Sequence, residues 1–239
     1  PEQKLLQRVK AVGAIVMSSA TTVREAIWLE ENGADVIIAQ GAEAGGHRGM
    51  FLTEVIAEQP GTFALVPQVV DAVKVPVIAA GGIADGRGIA AAFALGASGV
   101  QIGTAYLRCP ESTVGPAARV ALAQAKDDTT VITNVMTGRP ARGVPNRVMR
   151  EVGPIAAEAP SFPHAASALG PLKAAAEKQG KVDFTNLWAG QAVRMGREMP
   201  AAELTRALAG AALARMSALA GSPMSNRVLR LELAGGTVL

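Results

Sequence analysis

Four short runs of small and β-branched residues punctuate the first hundred positions: Gly13–Ser18, Ala34–Ala39, Val75–Ala80 and Gly99–Gly103. Runs of this length, with glycine at or near their ends, read as strands buried on both faces. Between them lie stretches with helical character. Thr21-Thr22 and Glu25 offer a cap and an acidic first turn, with Asn32-Gly33 as the stop. Phe63–Lys74 and the segment ending near Gly96 read as the next two helices. A βαβαβαβ alternation at roughly 20–40 residues per unit implies a parallel sheet covered by helices. TIM barrels and doubly wound sheets both place their ligand loops at the C-terminal ends of such strands.

The pattern changes after about Leu107. Thr130–Val135 reads as one more strand, and Arg147–Ala157, Ala165–Lys178 and Ala201–Leu219 as helices. The alternation alone therefore implies an α/β fold, TIM-barrel or doubly wound, followed by a mostly helical segment. A closed barrel needs eight strands and only four or five are legible, so either the sheet is open or, in a TIM-barrel fold, the barrel is partial, with its N-terminal strands absent from this sequence. Three divisions are expected: a barrel portion with a phosphate site over 1–138, a helical segment packed on it over 139–222, and a tail over 223–239.

Composition removes several functional classes. The chain has 239 residues, 49% hydrophobic and 18% charged, which suits a sizeable core rather than a disordered segment. Aromatics are only 3%, and the net charge of +3 comes from scattered basic residues, so neither a stacking platform nor a basic stripe for nucleic acid is expected. Apolar runs such as Ile89–Leu95 are too short to span a bilayer, so no membrane partner is expected. The single cysteine, Cys109, rules out an intrachain disulfide and a cysteine zinc site, and fits a cytoplasmic location. It reads as a buried thiol. Asp127-Asp128 reads as a solvated turn, and no metal site is expected.

Three glycine-rich motifs remain. Gln40–Gly49 (QGAEAGGHRG) follows the second strand and holds His47, the one histidine of the α/β part. A histidine there can act as a base toward a weakly acidic carbon, or simply bond a loop carbonyl with Arg48 as a solvated charge. Glu43 reads as a structural loop carboxylate. Ala79–Gly88 (AAGGIADGRG) runs from strand through double glycine to a helix start. Its backbone amides suit phosphate; the alternative is a tight turn that needs Gly81 and Gly82 only for positive φ. Gln101-Ile102-Gly103-Thr104 ends the next strand, and adjacent glycine loops on successive late strands are the TIM-barrel phosphate arrangement. His164 reads as a surface residue and Trp188 as a packing anchor or pocket wall.

Taken together, QGAEAGGHRG, AAGGIADGRG and QIGT resemble the nitronate monooxygenases. Gly138-Arg139-Pro140-Ala141-Arg142, Trp188-Ala189-Gly190-Gln191 and Pro200-Ala201-Ala202-Glu203-Leu204 are similar to the helical region of that family. The resemblance covers roughly residues 1 to 220. It implies a TIM barrel with non-covalent FMN, His47 as catalytic base, and flavin contacts from Gln40, Gly45, Gly81, Gly82, Gln101, Ile102, Gly103 and Thr104. Gly81, Gly82, Gly103 and Thr104 would surround the phosphate. The implied reaction oxidises a nitronate, or a nitroalkane deprotonated by histidine, with O₂ to a carbonyl compound and nitrite. Such relatives begin with strands and a glycine loop not found here, so Pro1 is expected to correspond to a position inside the barrel. A separate N-terminal segment or a homo-oligomer would then complete the pocket. Flavin-dependent enoyl-ACP reductases, which use NAD(P)H, share the glycine motifs and form the alternative, together with a non-catalytic half-barrel subunit.

Overall fold

A computed structural model describes residues 3–221, together with the backbone of two short strands at 231–233 and 236–238. The chain opens with α1 (Gln3–Ala11), then β1 (Met17–Ala20), α2 (Val23–Glu31), β2 (Val36–Gln40) and a two-residue strand β3 (Gly46–His47). It continues through α3 (Thr62–Ala72), β4 (Val77–Ala80), α4 (Gly86–Ala94), β5 (Gly99–Gln101) and α5 (Pro116–Gln124). Strands β6 (Val131–Thr133) and β7 (Ala141–Gly143) precede α6 (Arg147–Val152), α7 (His164–Glu177) and α8 (Ala201–Gly221). The strands at Leu231–Leu233 (β8) and Gly236–Val238 (β9) pair with each other; most of the expected tail over 223–239 lies outside the described residues.

The expected parallel sheet is present, with four strands in the order β1-β2-β4-β5. Its construction follows the strand period of two. Ile37 and Ala39 of β2 and Val77 and Ala79 of β4 point to one face and are buried. There they meet Leu29 of α2 and Leu65, Val66 and Val69 of α3. Helices on the outer face of a parallel sheet give the α/β barrel architecture expected of the chain. Helix α2 begins one position later than its sequence suggests. Thr22 is the N-cap, its side chain accepting from the Glu25 amide, whereas Thr21 is buried in another role. Gly33, at φ +88°, ends this turn.

Three expectations change. The run at Thr130–Val135 does form a strand, but not in the main sheet. A short connection forces β6 antiparallel to β7, and β7 pairs with β3, giving a separate sheet in the order β3-β7-β6. The helix expected to run to Ala157 stops at Val152, because Gly153 takes φ +98° and a proline follows. Helix α1 has no counterpart in the sequence reading; its one buried residue, Leu6, packs where a Cβ on Gly33 would stand, 2.9 Å away.

Helix α8 lies against α4 with Gly86 at the contact, where a Cβ would come within 2.5 Å of the Ala211 carbonyl carbon. Among the described residues no helix is long and apolar enough to cross a membrane.

The sheet–helix core sets the stability of everything attached to it. Leu65 is fully buried between α3 and the sheet. Leu65→Ala is expected to lower the unfolding free energy by about 2–5 kcal/mol, through lost apolar burial plus the cavity left behind. Denaturant titration followed by circular dichroism checks this; a loss under about 1 kcal/mol would contradict the core assignment.

Candidate active site

The loops after β2, β4 and β5 converge at the C-terminal end of the sheet around a cleft of about 240 Å³. Seven of the nine residues picked from the sequence line it: Gln40, Gly45, Gly81, Gly82, Gln101, Gly103 and Thr104. Ile102 does not. Strand alternation turns it the other way, into an apolar groove between α4 and α8 shared with Ile89 and Leu208. His47 stands beside the cleft, its ring 5.6 Å from that of Trp188, which forms part of the wall.

The glycines are required for different reasons. Gly81 and Gly82 have φ of +113° and +68°, so the β4–α4 turn itself demands them. Gly45 lies against the chain at Ala189–Gly190, where a Cβ would fall 2.4 Å from the Gly190 nitrogen. Gly103 is unlike both: its φ is −108°, open to any residue, and a Cβ there would meet no protein atom within 4 Å. Neither backbone conformation nor protein packing explains a glycine at 103.

The polar groups divide similarly. The N–H groups of Gly82, Gly103 and Thr104 have no acceptor among the described residues. The N-terminus of α4, in contrast, is already capped: Asp85 accepts from the amides of Arg87 and Gly88 and pairs with the Arg87 guanidinium at 2.6 Å. Any anion would therefore meet the loop amides, not the helix terminus that the sequence suggested. Thr104 presents its hydroxyl to the Gly190 amide at 2.9 Å, tying the loop after β5 to the wall that carries Trp188. Gln40 bridges its own loop, donating to the His47 carbonyl and accepting from the Gly49 amide.

Glu43 is structural, as expected; its carboxylate accepts from the Thr62 amide and hydroxyl at the start of α3. Arg48 is not the solvated charge expected of it. It is 2% exposed, and its guanidinium donates to Gln59 and to the carbonyls of Gly41 and Gln40. Burial, and then the neighbouring Arg142, bring its pKa down to about 10, so it remains a cation at neutral pH.

His47 pairs with Ala141 across β3 and β7. Its Nε2 lies 2.9 Å from the Thr137 hydroxyl. Phe162 meets the ring edge-on at 5.8 Å, and Trp188 takes another side. Partial burial, and then the positive charge of Arg139, lower the His47 pKa below the ordinary histidine value. The ring is thus a neutral imidazole at physiological pH, the form a base requires.

Thr137 and Phe162 were not singled out from the sequence. No periodicity or motif marks them; they reach the site only because β7 returns beside β3. Cys109 is buried, with burial raising its thiol pKa, and His164 is exposed, both as expected.

A family model described as nitronate monooxygenase matches residues 1–210. The chain is 46% identical over 209 residues to a nitronate monooxygenase of Pseudomonas aeruginosa, covering 87% of this chain and 60% of that protein. A probable nitronate monooxygenase of Staphylococcus saprophyticus is 43% identical over 203 residues, covering 84% of this chain and 57% of that protein. The chain thus spans less than two thirds of the length of these curated relatives. Among solved structures, a nitroalkane oxidase from Streptomyces ansochromogenes superposes with a TM-score of 0.85 at 40% identity, covering 92% of this chain and 63% of that one. FabK from Thermotoga maritima gives a TM-score of 0.76 at 33% identity, covering 92% and 67%.

The electrostatic assignment is testable because the chain has only two histidines. Removing the Arg139 charge relieves repulsion of the imidazolium, so Arg139→Gln is expected to raise the His47 pKa toward the ordinary 6.5 or so. Histidine-resolved NMR titration reads this directly, with the exposed His164 as internal control. An unchanged or lowered value would remove Arg139 from the account.

Proposed function

The chain belongs to the nitronate monooxygenase family, and from that premise we propose that it takes part in the oxidation of nitronates, or of nitroalkanes deprotonated by His47, with FMN as cofactor and O₂ as oxidant. The products are a carbonyl compound and nitrite. The observation that carries this reading is the joining of two features at one cleft: loop amides without acceptors around Gly82, Gly103 and Thr104, and a neutral, aromatic-packed histidine at its edge.

The residues present fit a flavin phosphate. Its oxygens need several backbone donors and close approach, and the side-chain-free space before Gly103 permits that approach. In this reading Gly81, Gly82, Gly103 and Thr104 hold the phosphate, while Gln40, Gly45 and Gln101 border the rest of the cofactor. Ile102 contributes through its backbone, since its side chain lies in the groove against α8. Bound FMN supplies the electron-accepting chemistry. The protein positions the substrate carbon and handles its proton: His47, uncharged at neutral pH, accepts the proton alpha to the nitro group. Phe162 and Trp188 pack against the ring and limit its movement. Residues 1–138 thus carry the phosphate site, and 139–222 supply the aromatic cover.

The similarity to FabK gives a second reading, an NAD(P)H-dependent flavin reductase on the same site. Aerobic turnover separates the two. Nitronate-dependent O₂ uptake with nitrite release, in the absence of NADH, is the expected result. Rapid flavin bleaching by NADH without nitrite formation would replace it with the reductase.

Two variants test the residue roles. Gly103→Val is expected to weaken FMN binding at least tenfold, read by flavin fluorescence, while leaving the unfolding free energy within about 0.5 kcal/mol, because the site is unstrained and uncrowded. Wild-type affinity in this variant would contradict the cradle. His47→Ala is expected to lower turnover of neutral nitroalkanes by about 10²–10⁴-fold while largely sparing preformed nitronates. Equal loss on both substrates would count against the base role.

A further inference from the structure

We infer that Thr137 is a positioning residue which sets the tautomer of His47, leaving Nδ1 as the atom that accepts the proton. This rests on the base role given to His47 above and goes beyond it, to the atom and to the group that selects it.

The backbone of His47 is held first. β3 pairs it with Ala141, and Gln40 donates to its carbonyl at 3.0 Å. The ring plane is held next, by the edge-on contact of Phe162 and the tilted contact of Trp188. What remains open is which nitrogen carries the hydrogen, and there the structure is asymmetric. Nε2 has a partner at 2.9 Å, the buried Thr137 hydroxyl, whereas Nδ1 has none among the described residues.

A hydroxyl has one proton to give. The Thr137 hydroxyl has an acceptor of its own in the Arg139 carbonyl, at 3.3 Å. Donating there leaves its lone pairs to accept from Nε2–H. The chain then runs in one sense, from Nε2–H to the Thr137 hydroxyl to the Arg139 carbonyl. This order serves both charge states. In the neutral ring it places the lone pair on Nδ1, and after protonation the same Nε2–H becomes a stronger donor to the same oxygen, with no hydroxyl having to rotate.

Arg139 is therefore connected to His47 in two ways. Its carbonyl ends the hydrogen-bond chain, while its guanidinium, anchored on the Met50 carbonyl at 2.8 Å, disfavours the charged ring. The charge keeps the base free of a proton at rest, and the hydrogen bond steadies the proton once taken.

The test is imidazole ¹⁵N NMR on the whole chain, compared among wild type, Thr137→Val and Thr137→Ser, with nitroalkane kinetics alongside. The wild type is expected to show an unprotonated Nδ1 and a protonated Nε2 at neutral pH, and the serine variant the same pattern. The valine variant should show a mixture of tautomers. Its His47 pKa should fall further, by about half to one unit, because the lost acceptor favoured the imidazolium more than the neutral ring. kcat on neutral nitroalkanes should fall roughly tenfold, with KM changing less and serine restoring the rate. A wild-type ring protonated on Nδ1, or a valine variant with unchanged tautomer and pKa, overturns the inference. The NMR result stands apart from turnover: a wild-type tautomer that depends on Thr137 in a protein without nitroalkane activity would uphold the positioning and refute the proposed reaction. Circular dichroism of the valine variant excludes misfolding, and Thr137→Ala, which also removes the hydroxyl and is read by the same NMR, carries the test should valine not fold.

Discussion

A buried chain of polar contacts beneath the cleft holds the site together. Glu25 is completely buried, yet its carboxylate accepts from the Thr21 amide and hydroxyl and from the amides of Phe51 and Leu52. Burial alone would raise its pKa; those hydrogen bonds outweigh burial and hold it below the usual carboxylate value. Gln59 donates to the Thr21 hydroxyl and accepts from Arg48, whose remaining donors grip the carbonyls of Gln40 and Gly41. One connected network thus links the ends of β1 and β2 to the loop that carries His47. Buried charges are stable only when their bonding capacity is filled, and leaving one such group without a partner typically costs about 1–3 kcal/mol, more where the group is charged. No buried side-chain polar atom among the described residues is left without a partner. The loop that carries His47 is therefore a rigid extension of the sheet.

That rigidity permits a site built largely from backbone. Gly41 and Gly45 are small because other chain segments press on them: Thr62 against Gly41, and Ala189–Gly190 against Gly45. These contacts bring the Trp188 segment down over the sheet loops, and the Thr104 hydroxyl ties it there through the Gly190 amide. Loop amides around Gly82 and Gly103 can then remain without intramolecular acceptors, at a cost tolerable only where a ligand or solvent reaches them. Gly103 stands out within this set because only the space before it accounts for its identity.

The contributions of the two parts of the chain are complementary. The loops at the ends of the parallel strands supply amides without intramolecular acceptors, and the small antiparallel sheet brings Thr137 and Arg139 to His47. Without the β3–β7 pairing, a histidine in a glycine-rich loop would have neither a fixed orientation nor a perturbed pKa.

Much of this was legible in the residues themselves. Apolar runs with a strand period, caps at Thr22 and Asp85, and stops at Gly33 and Gly96 are local signals, so the βα order and the cleft-lining glycines could be read from spacing. Local signals also explain the errors. Arg48 carries the same symbol whether solvated or buried, and its role depends on Gln59, eleven positions away. Val131–Thr133 has strand character, but which sheet it joins depends on its partner. Thr137 meets a histidine ninety positions earlier. Residue type and periodicity therefore determined the elements, their order and the chemistry available to the chain. Tertiary structure decided which of those groups meet and which are buried, because hydrogen bonding and desolvation depend on distance in space rather than on separation along the chain.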